Sequence, residues 1–275
     1  MEQNLKKLAY KLRQDVVQVI MNGKGGHIGG DMSVMEALVV LYFKVMNVTP
    51  QNFNSAEHDH FIMSKGHSVE TLYAVLAEKG FFPRERLLKE FSQFGSPFIG
   101  HPNNKLPGIE MNSGALGHGL PVAVGMAIAE KMNGSKNRVY VVMGDGEQAE
   151  GSVWEGAMSG ANYHLDNLCA VLDRNHLQIS GSTEDVMALG DLKGKWESFG
   201  WHVIELGDGN DVNQLQSAFE EAAMVKGKPS IVIMHTIKGK GSPVMENKAS
   251  WHHHLPNEEE FKQIMADLKA AEESA

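Results

Sequence analysis

The sequence predicts an α/β fold built on a mostly parallel sheet with helices on both faces. Three observations carry this. From residue 138 onward, four short apolar runs, "RVYVVM", "LCAVLD", "WHVIEL" and "SIVIMHT", alternate with stretches of helical periodicity. Such alternation marks right-handed βαβ units, whose crossovers lay helices on the sheet. The runs are also dominated by Val, Ile and Leu, as in strands covered on both sides. Finally, the loops "GDG", "RNHLQISG" and "TIKGKGS" directly follow three of the runs. In such folds ligands sit beyond the carboxyl ends of the strands, so these loops are expected to converge.

The elements follow in order. Leu5, Leu8, Leu12, Val16, Val19 and Ile20 recur at helical spacing and predict an amphipathic helix over residues 4–22. After the glycine-rich "NGKGGHIGGDMS", a second helix is expected over "VMEALVVLYFKVMN", with Ser33 and Glu36 as a capping box. "FIMSKGH" reads as a short strand ending in a loop, and "VETLYAVLAEKG" as a helix stopped by Gly80. Residues 92–118 form a long loop, which in a compact domain points to function or disorder. "LPVAVGMAIAEKMNG" reads as a buried helix. The later helices are residues 151–164, "DLKGKWESFG", "VNQLQSAFEEAAMV" and a capped C-terminal surface helix in "NEEEFKQIMADLKAAEESA".

Composition bounds the function. The chain has 275 residues, enough for one large core or two modest ones, and a net charge of −9. That balance argues against nucleic acid or an anionic membrane as partner, since both need a basic surface. It leaves room for a phosphate held by a few local donors. The single cysteine, Cys169, lies in an apolar run and reads as a buried small hydrophobe. No segment has the length of a membrane span or the continuous apolar block of a secretory signal, so a cytoplasmic location is expected.

Asp145 and Asn175 lie one βαβ unit apart, which puts both at the tips of neighbouring strands. A carboxylate, an amide oxygen and a backbone carbonyl make a hard oxygen site suited to Mg²⁺ or Ca²⁺ rather than zinc. Gly144 and Gly146 would open the backbone toward an anion at a helix N-terminus. The rival reading is an ordinary Asp-Gly turn and an unrelated asparagine. In "EHDH", His58 and His60 could form a metal pair, but an exposed turn is the simpler reading. Glu147 reads as a polar helix-start residue.

"GDGE" followed by "RN" resembles the fingerprint of thiamine diphosphate enzymes. More narrowly, the chain resembles the N-terminal, diphosphate-binding (PP-type) part of transketolases. The supporting stretches run in the family's order: "GKGGHIGGDMS", "HFIMSKGHSVETLYAVL", "GHP", "NSGALGHGLPVAVGMAIA", "GDGEQAEGSVWEGAMSGA", "DRNHLQISG" and "HTIKGKGSPVMENKASWHHHLP". The resemblance implies thiamine diphosphate and a divalent metal (Mg²⁺, Ca²⁺ or Mn²⁺). It assigns Asp145, Asn175 and the Leu177 carbonyl to the metal, and the Gly146 N–H to the diphosphate. It brings Gly114 and Leu116 to the cofactor rings and packs Ile179 against the cofactor. His27, His67, His101 and His252 match substrate-channel positions that transfer protons and bind donor hydroxyls. The "HHH" run leaves His253 as an alternative to His252. Glu150 resembles an acid linking the two cofactor sites of a dimer. Two departures, His118 where many members have glutamine and Ile28 where proline is common, bear on substrate more than cofactor.

The resemblance also implies an absent half. In transketolases the glutamate that activates the cofactor lies in a second α/β domain, and no second run of strands follows in this chain. The expectation is therefore a single diphosphate-binding domain over residues 1–275. The pyrimidine-binding domain would come from a C-terminal subunit, in an α₂β₂ transketolase moving a two-carbon ketol unit between sugars or sugar phosphates. The alternatives are a subunit of deoxyxylulose phosphate synthase or 2-oxoacid dehydrogenase type, or a non-catalytic module of the same fold. "SKGH" with "GHP" favours the transketolase.

Overall fold

A computed structural model describes residues 4–275. Helices α1 (Leu5–Gly23) and α2 (Ile28–Val40) precede strand β1 (His60–Met63). Helices α3 (Val69–Lys79), α4 (Arg84–Glu90) and α5 (Gly119–Met132) follow, then β2 (Val139–Gly144), α6 (Gly151–Asn162) and β3 (Leu168–Arg174). A hairpin of β4 (Leu177–Gln178) and β5 (Gly181–Ser182) leads into α7 (Thr183–Met187) and α8 (Leu192–Ser198). The chain closes with β6 (His202–Leu206), α9 (Val212–Met224), β7 (Ser230–His235) and α10 (Glu258–Glu273). The main sheet has the order β1-β2-β3-β7-β6, every pairing parallel, as the alternating pattern predicts.

Period-two alternation sorts the strand side chains between two cores. Tyr140, Val142, Cys169 and Val171 face the layer of α1, α2, α3 and α9. Val139, Val141, Leu168 and Ala170 face the layer of α5, α6 and α8. Cys169 is fully buried, and burial pushes its thiol up to about 12, so its role is packing. Helix α10 carries a capping box between Asn257 and Glu260 and buries Ile264 and Leu268. Among the described residues no helix is long and apolar enough to cross a membrane.

The second helix departs from expectation. It starts at Ile28, ahead of the expected cap at Ser33, and all thirteen of its residues are buried, which makes it a core helix. Ser33 does not cap it. Its hydroxyl donates to Asp173 Oδ2 (2.6 Å), and Glu36 accepts from both terminal nitrogens of Arg13. Both side chains find buried long-range partners that outcompete a local backbone N–H. The segment 92–118 does lack helix and strand. Helix α4, the β4–β5 hairpin and α7 were not legible in the sequence.

Arg13 is fully buried against Glu36 and the Met32 carbonyl. Removing one member of a buried pair strands the other charge, at a cost of about 3–5 kcal/mol, whereas an apolar replacement of both is often neutral. Arg13→Met is therefore expected to lower the urea-unfolding stability by about that amount, and adding Glu36→Leu to restore most of it. Equal losses in the single and double variants would contradict this account.

Candidate active site

The parallel register brings the ends of β1, β2, β3 and β7 to one edge of the sheet, and a cavity of about 190 Å³ opens there. Asp145 and Gly146 from the end of β2 line it, with Asn175, Leu177 and Ile179 from beyond β3. Gly114 and Leu116 form another wall, and His27, His67 and His252 a third. Ten of the twelve residues singled out in the sequence thus meet at one cavity. His101 stands just outside it, its ring centroid 6.2 Å from that of His27. Glu150 is exposed on the surface after β2.

Asp145 is buried between backbone donors. Its Oδ1 accepts from Gly146 N (2.8 Å), and its Oδ2 from His176 N (2.7 Å) and the Arg174 guanidinium (3.3 Å). Burial raises the Asp145 carboxyl above its ordinary range, and the nearby Asp173 adds to this. The Asn175 Oδ1 accepts from Leu177 N (3.1 Å), and the Leu177 carbonyl accepts from Lys238 Nζ (3.2 Å). Gly114 adopts φ 139°, and a Cβ there would lie 2.7 Å from the His101 ring. Only glycine lets that backbone pass so close to the histidine wall.

The imidazoles form one cluster around His27. Its ring centroid lies 5.3 Å from that of His67, 5.4 Å from His252 and 4.7 Å from His253. His252 lines the cavity, while His253 is exposed. Lys238 Nζ donates to His252 Nδ1 (3.1 Å), which leaves the ring proton on Nε2. Burial lowers Lys238 to about 8, with help from Lys65. Burial likewise lowers His27 to about 4, His67 to about 2 and His252 to about 3, each aided by its neighbouring histidines and lysines. These three rings are thus neutral at physiological pH.

Several residues of the site were not foreseen. Lys65 Nζ donates to Asp173 Oδ2 (2.5 Å) and to the Gly30 carbonyl (3.0 Å). The Asp173 side chain also accepts from Ser33, Asn175 and Thr236. Burial alone would raise Asp173, but Lys65 and the two hydroxyls more than offset it and hold the carboxyl below its ordinary range. Glu147 corrects its reading as a polar helix-start residue. It is buried, accepts from the Ser64 hydroxyl, Gly117 N (2.8 Å) and Gly144 N (3.1 Å), and so ties three cavity loops together. The sequence did hold signals: Lys65 and Lys238 sit inside stretches already singled out, and Asp173 ends an otherwise apolar strand. His58 and His60 correct another reading. They are not an exposed turn, because His58 is buried and both rings converge on Glu110.

The neutral histidines make stability depend on pH. Their folded values lie below the unfolded value of 6.5, so the unfolded chain binds more protons between the two. Their contribution is complete above about pH 6.5 and is lost as pH falls through about 4 for His27, then 3 and 2 for the others. Histidine NMR is expected to show all three rings neutral at pH 6, and His67→Gln to flatten the acid limb of stability against pH. A midpoint near 6.5 for any of the three would refute the burial account.

The geometry has close counterparts. The family described as "Transketolase, thiamine diphosphate binding domain" matches residues 4–272. An apulose-4-phosphate transketolase subunit from Phocaeicola vulgatus is 46% identical over 94% of this chain and 91% of its own. A 6-deoxy-6-sulfo-D-fructose transketolase subunit from a Clostridium species is 42% identical over 89% of this chain and 88% of its own. In structure, the transketolase from Leishmania mexicana superposes with a TM-score of 0.89 at 30% identity, covering 100% of this chain and 44% of that one. The match over nearly the full chain, together with the cavity at the strand ends, establishes that the protein belongs to the transketolase family and carries its thiamine diphosphate-binding domain.

Proposed function

We propose that this chain is the diphosphate-binding subunit of a two-chain transketolase. In this reading it is a single domain that works with a C-terminal subunit in an α₂β₂ assembly and needs a divalent cation, Mg²⁺ foremost. The reaction moves a two-carbon ketol unit from a ketose to an aldose, with a phosphorylated or otherwise anionic sugar as substrate. The observation that carries the reading is the meeting, at one cavity, of an all-oxygen donor set and a wall of neutral histidines.

The donor set fits a hard cation. Asp145, Asn175 and the Leu177 carbonyl offer only oxygen, and too few of them to complete a coordination sphere, which leaves places for phosphate and water. A cation would also compensate a carboxyl that burial and Asp173 otherwise disfavour as an anion. The Gly146 N–H, now on Asp145, is the donor a phosphate oxygen would draw. At about 190 Å³ the cavity is smaller than the roughly 300–1,000 Å³ of a complete ligand site, which supports a site finished by another chain. The naming of two similar relatives as subunits supports the same arrangement. Glu150, exposed beside the site, is assigned to the contact between subunits.

Bound thiamine diphosphate supplies the nucleophilic carbon and the electron sink that make cleavage next to a ketose carbonyl possible. The chain's own residues do the rest. Gly114, Leu116 and Ile179 shape the cofactor side of the cavity. His252, with its proton fixed on Nε2 by Lys238, donates a hydrogen bond to a substrate oxygen. His27, His67 and His101, kept uncharged or nearly so by burial, accept a proton from a sugar hydroxyl and return it. Lys238 and Lys65 add positive charge where anionic groups gather.

With the partner chain present, His67→Ala is expected to lower kcat/KM by about 100- to 10,000-fold. Asp145→Ala is expected to abolish activity together with Mg²⁺-dependent binding of thiamine diphosphate by the full chain, measured by calorimetry. Retained affinity in that variant would overturn the metal assignment. The purified chain alone is expected to turn over no ketose, and full turnover without a second polypeptide would overturn the two-chain reading.

A further inference from the structure

We propose that His58, His60 and Glu110 form a second metal site, suited to Zn²⁺, at the amino ends of the strands and thus on the opposite edge of the sheet from the cavity. His60 opens β1, His58 lies just before it, and Glu110 projects from the long segment between α4 and α5. His58 Nε2 lies 3.1 Å and His60 Nδ1 2.9 Å from the same oxygen, Glu110 Oε1. The two ring centroids are 4.5 Å apart, and the three ligand atoms fall within 4.8 Å of one another. Tetrahedral zinc with bonds of about 2.0–2.1 Å spaces its ligand atoms by about 3.3 Å. Small side-chain adjustments therefore suffice to admit the ion.

The hydrogen-bond chemistry demands positive charge at this spot. His58 Nδ1 faces the Ser55 carbonyl (2.8 Å), and a carbonyl only accepts, so that nitrogen carries a proton. Its Nε2 then points a lone pair at Glu110 unless a proton or a metal ion lies between. His60 meets the same problem twice, with Glu110 on Nδ1 and Glu130 Oε1 on Nε2 (3.1 Å). Four nitrogens thus face three acceptor oxygens, with Glu110 Oε1 shared by two of them. Two extra protons would resolve this, and so would one divalent ion bound by His58 Nε2, His60 Nδ1 and Glu110.

In the second solution the remaining N–H groups donate to Ser55 and Glu130. This is the outer-sphere pattern that fixes the tautomer and orientation of metal-bound histidines. Two imidazoles and one carboxylate suit zinc, with a fourth position left for water. The Glu110 side chain is 16% exposed and that of His60 13%, which gives an ion a route in. The ion would pin β1 and α5, through Glu130, to the segment that leads into Ser113 and Gly114. Ser113 already donates to the Met63 carbonyl (2.6 Å) at the far end of β1.

The histidine wall of the cavity is a competing zinc trap, so the test separates the two. The full chain is stripped with a chelator and titrated with Co²⁺ in excess Mg²⁺. One equivalent is expected to develop the visible absorption of a four-coordinate ion and to be displaced by Zn²⁺. His58→Gln or Glu110→Gln is expected to remove that equivalent, and Glu130→Gln to weaken it by about 10- to 100-fold. His27→Ala and His252→Ala are expected to leave it in place. An equivalent that survives His58→Gln, or that disappears in His27→Ala, overturns the proposal, as does failure to bind any. Zinc-edge anomalous diffraction from wild-type crystals grown with Zn²⁺ needs no variant. A peak among His58, His60 and Glu110 supports the site, and its absence there overturns it.

Discussion

The buried Asp173 carboxylate is the point on which the cavity depends. It lies next to the last residue of β3, is wholly removed from solvent, and accepts from Lys65 after β1, Ser33 in α2, Asn175 after β3 and Thr236 after β7. One anion thus gathers four segments at the carboxyl edge of the sheet. Desolvating a charge is costly, so a carboxylate persists there only because a lysine and hydroxyls surround it. Lys65 in turn holds the Gly30 carbonyl, which fixes the start of α2 beside His27. Glu147 repeats the device one strand over, joining the loops of Ser64, Gly117 and Gly144. The positions of the histidine wall therefore follow from two buried acids that are not themselves assigned to the chemistry.

Charge is distributed unevenly as a result. The chain as a whole carries −9, yet the cavity is bordered by Lys65 and Lys238 and by imidazoles that burial keeps neutral. A diphosphate or sugar phosphate approaching it meets local donors rather than the repulsion that the net charge alone would suggest.

Much of this was legible in the sequence. Strand–helix alternation gave the parallel sheet, because side-chain periodicity is a local property that short windows capture. The converging loops followed from the rule that ligands sit beyond strand ends. What escaped was long-range pairing. Ser33 with Glu36 looks like a capping box in a four-residue window, but Ser33 bonds Asp173, 140 residues away. Glu147 looks like a helix-start acid, yet it is claimed by Ser64, 83 residues earlier. "EHDH" reads as a polar turn until Glu110 and Glu130 fold against it. In each case a polar residue was judged by its neighbours in the chain, while a partner brought by tertiary folding decided its role.

The placement of Cys169 has a practical consequence. The only thiol in the chain is sealed inside β3, and burial keeps it protonated. The native protein is therefore chemically silent toward maleimides and similar reagents. A cysteine introduced on the surface becomes the sole labelling handle, with no background to remove first. Placed at exposed Glu150, an environment-sensitive dye would test, through a change in its emission, whether a second polypeptide approaches there as the proposed assembly requires.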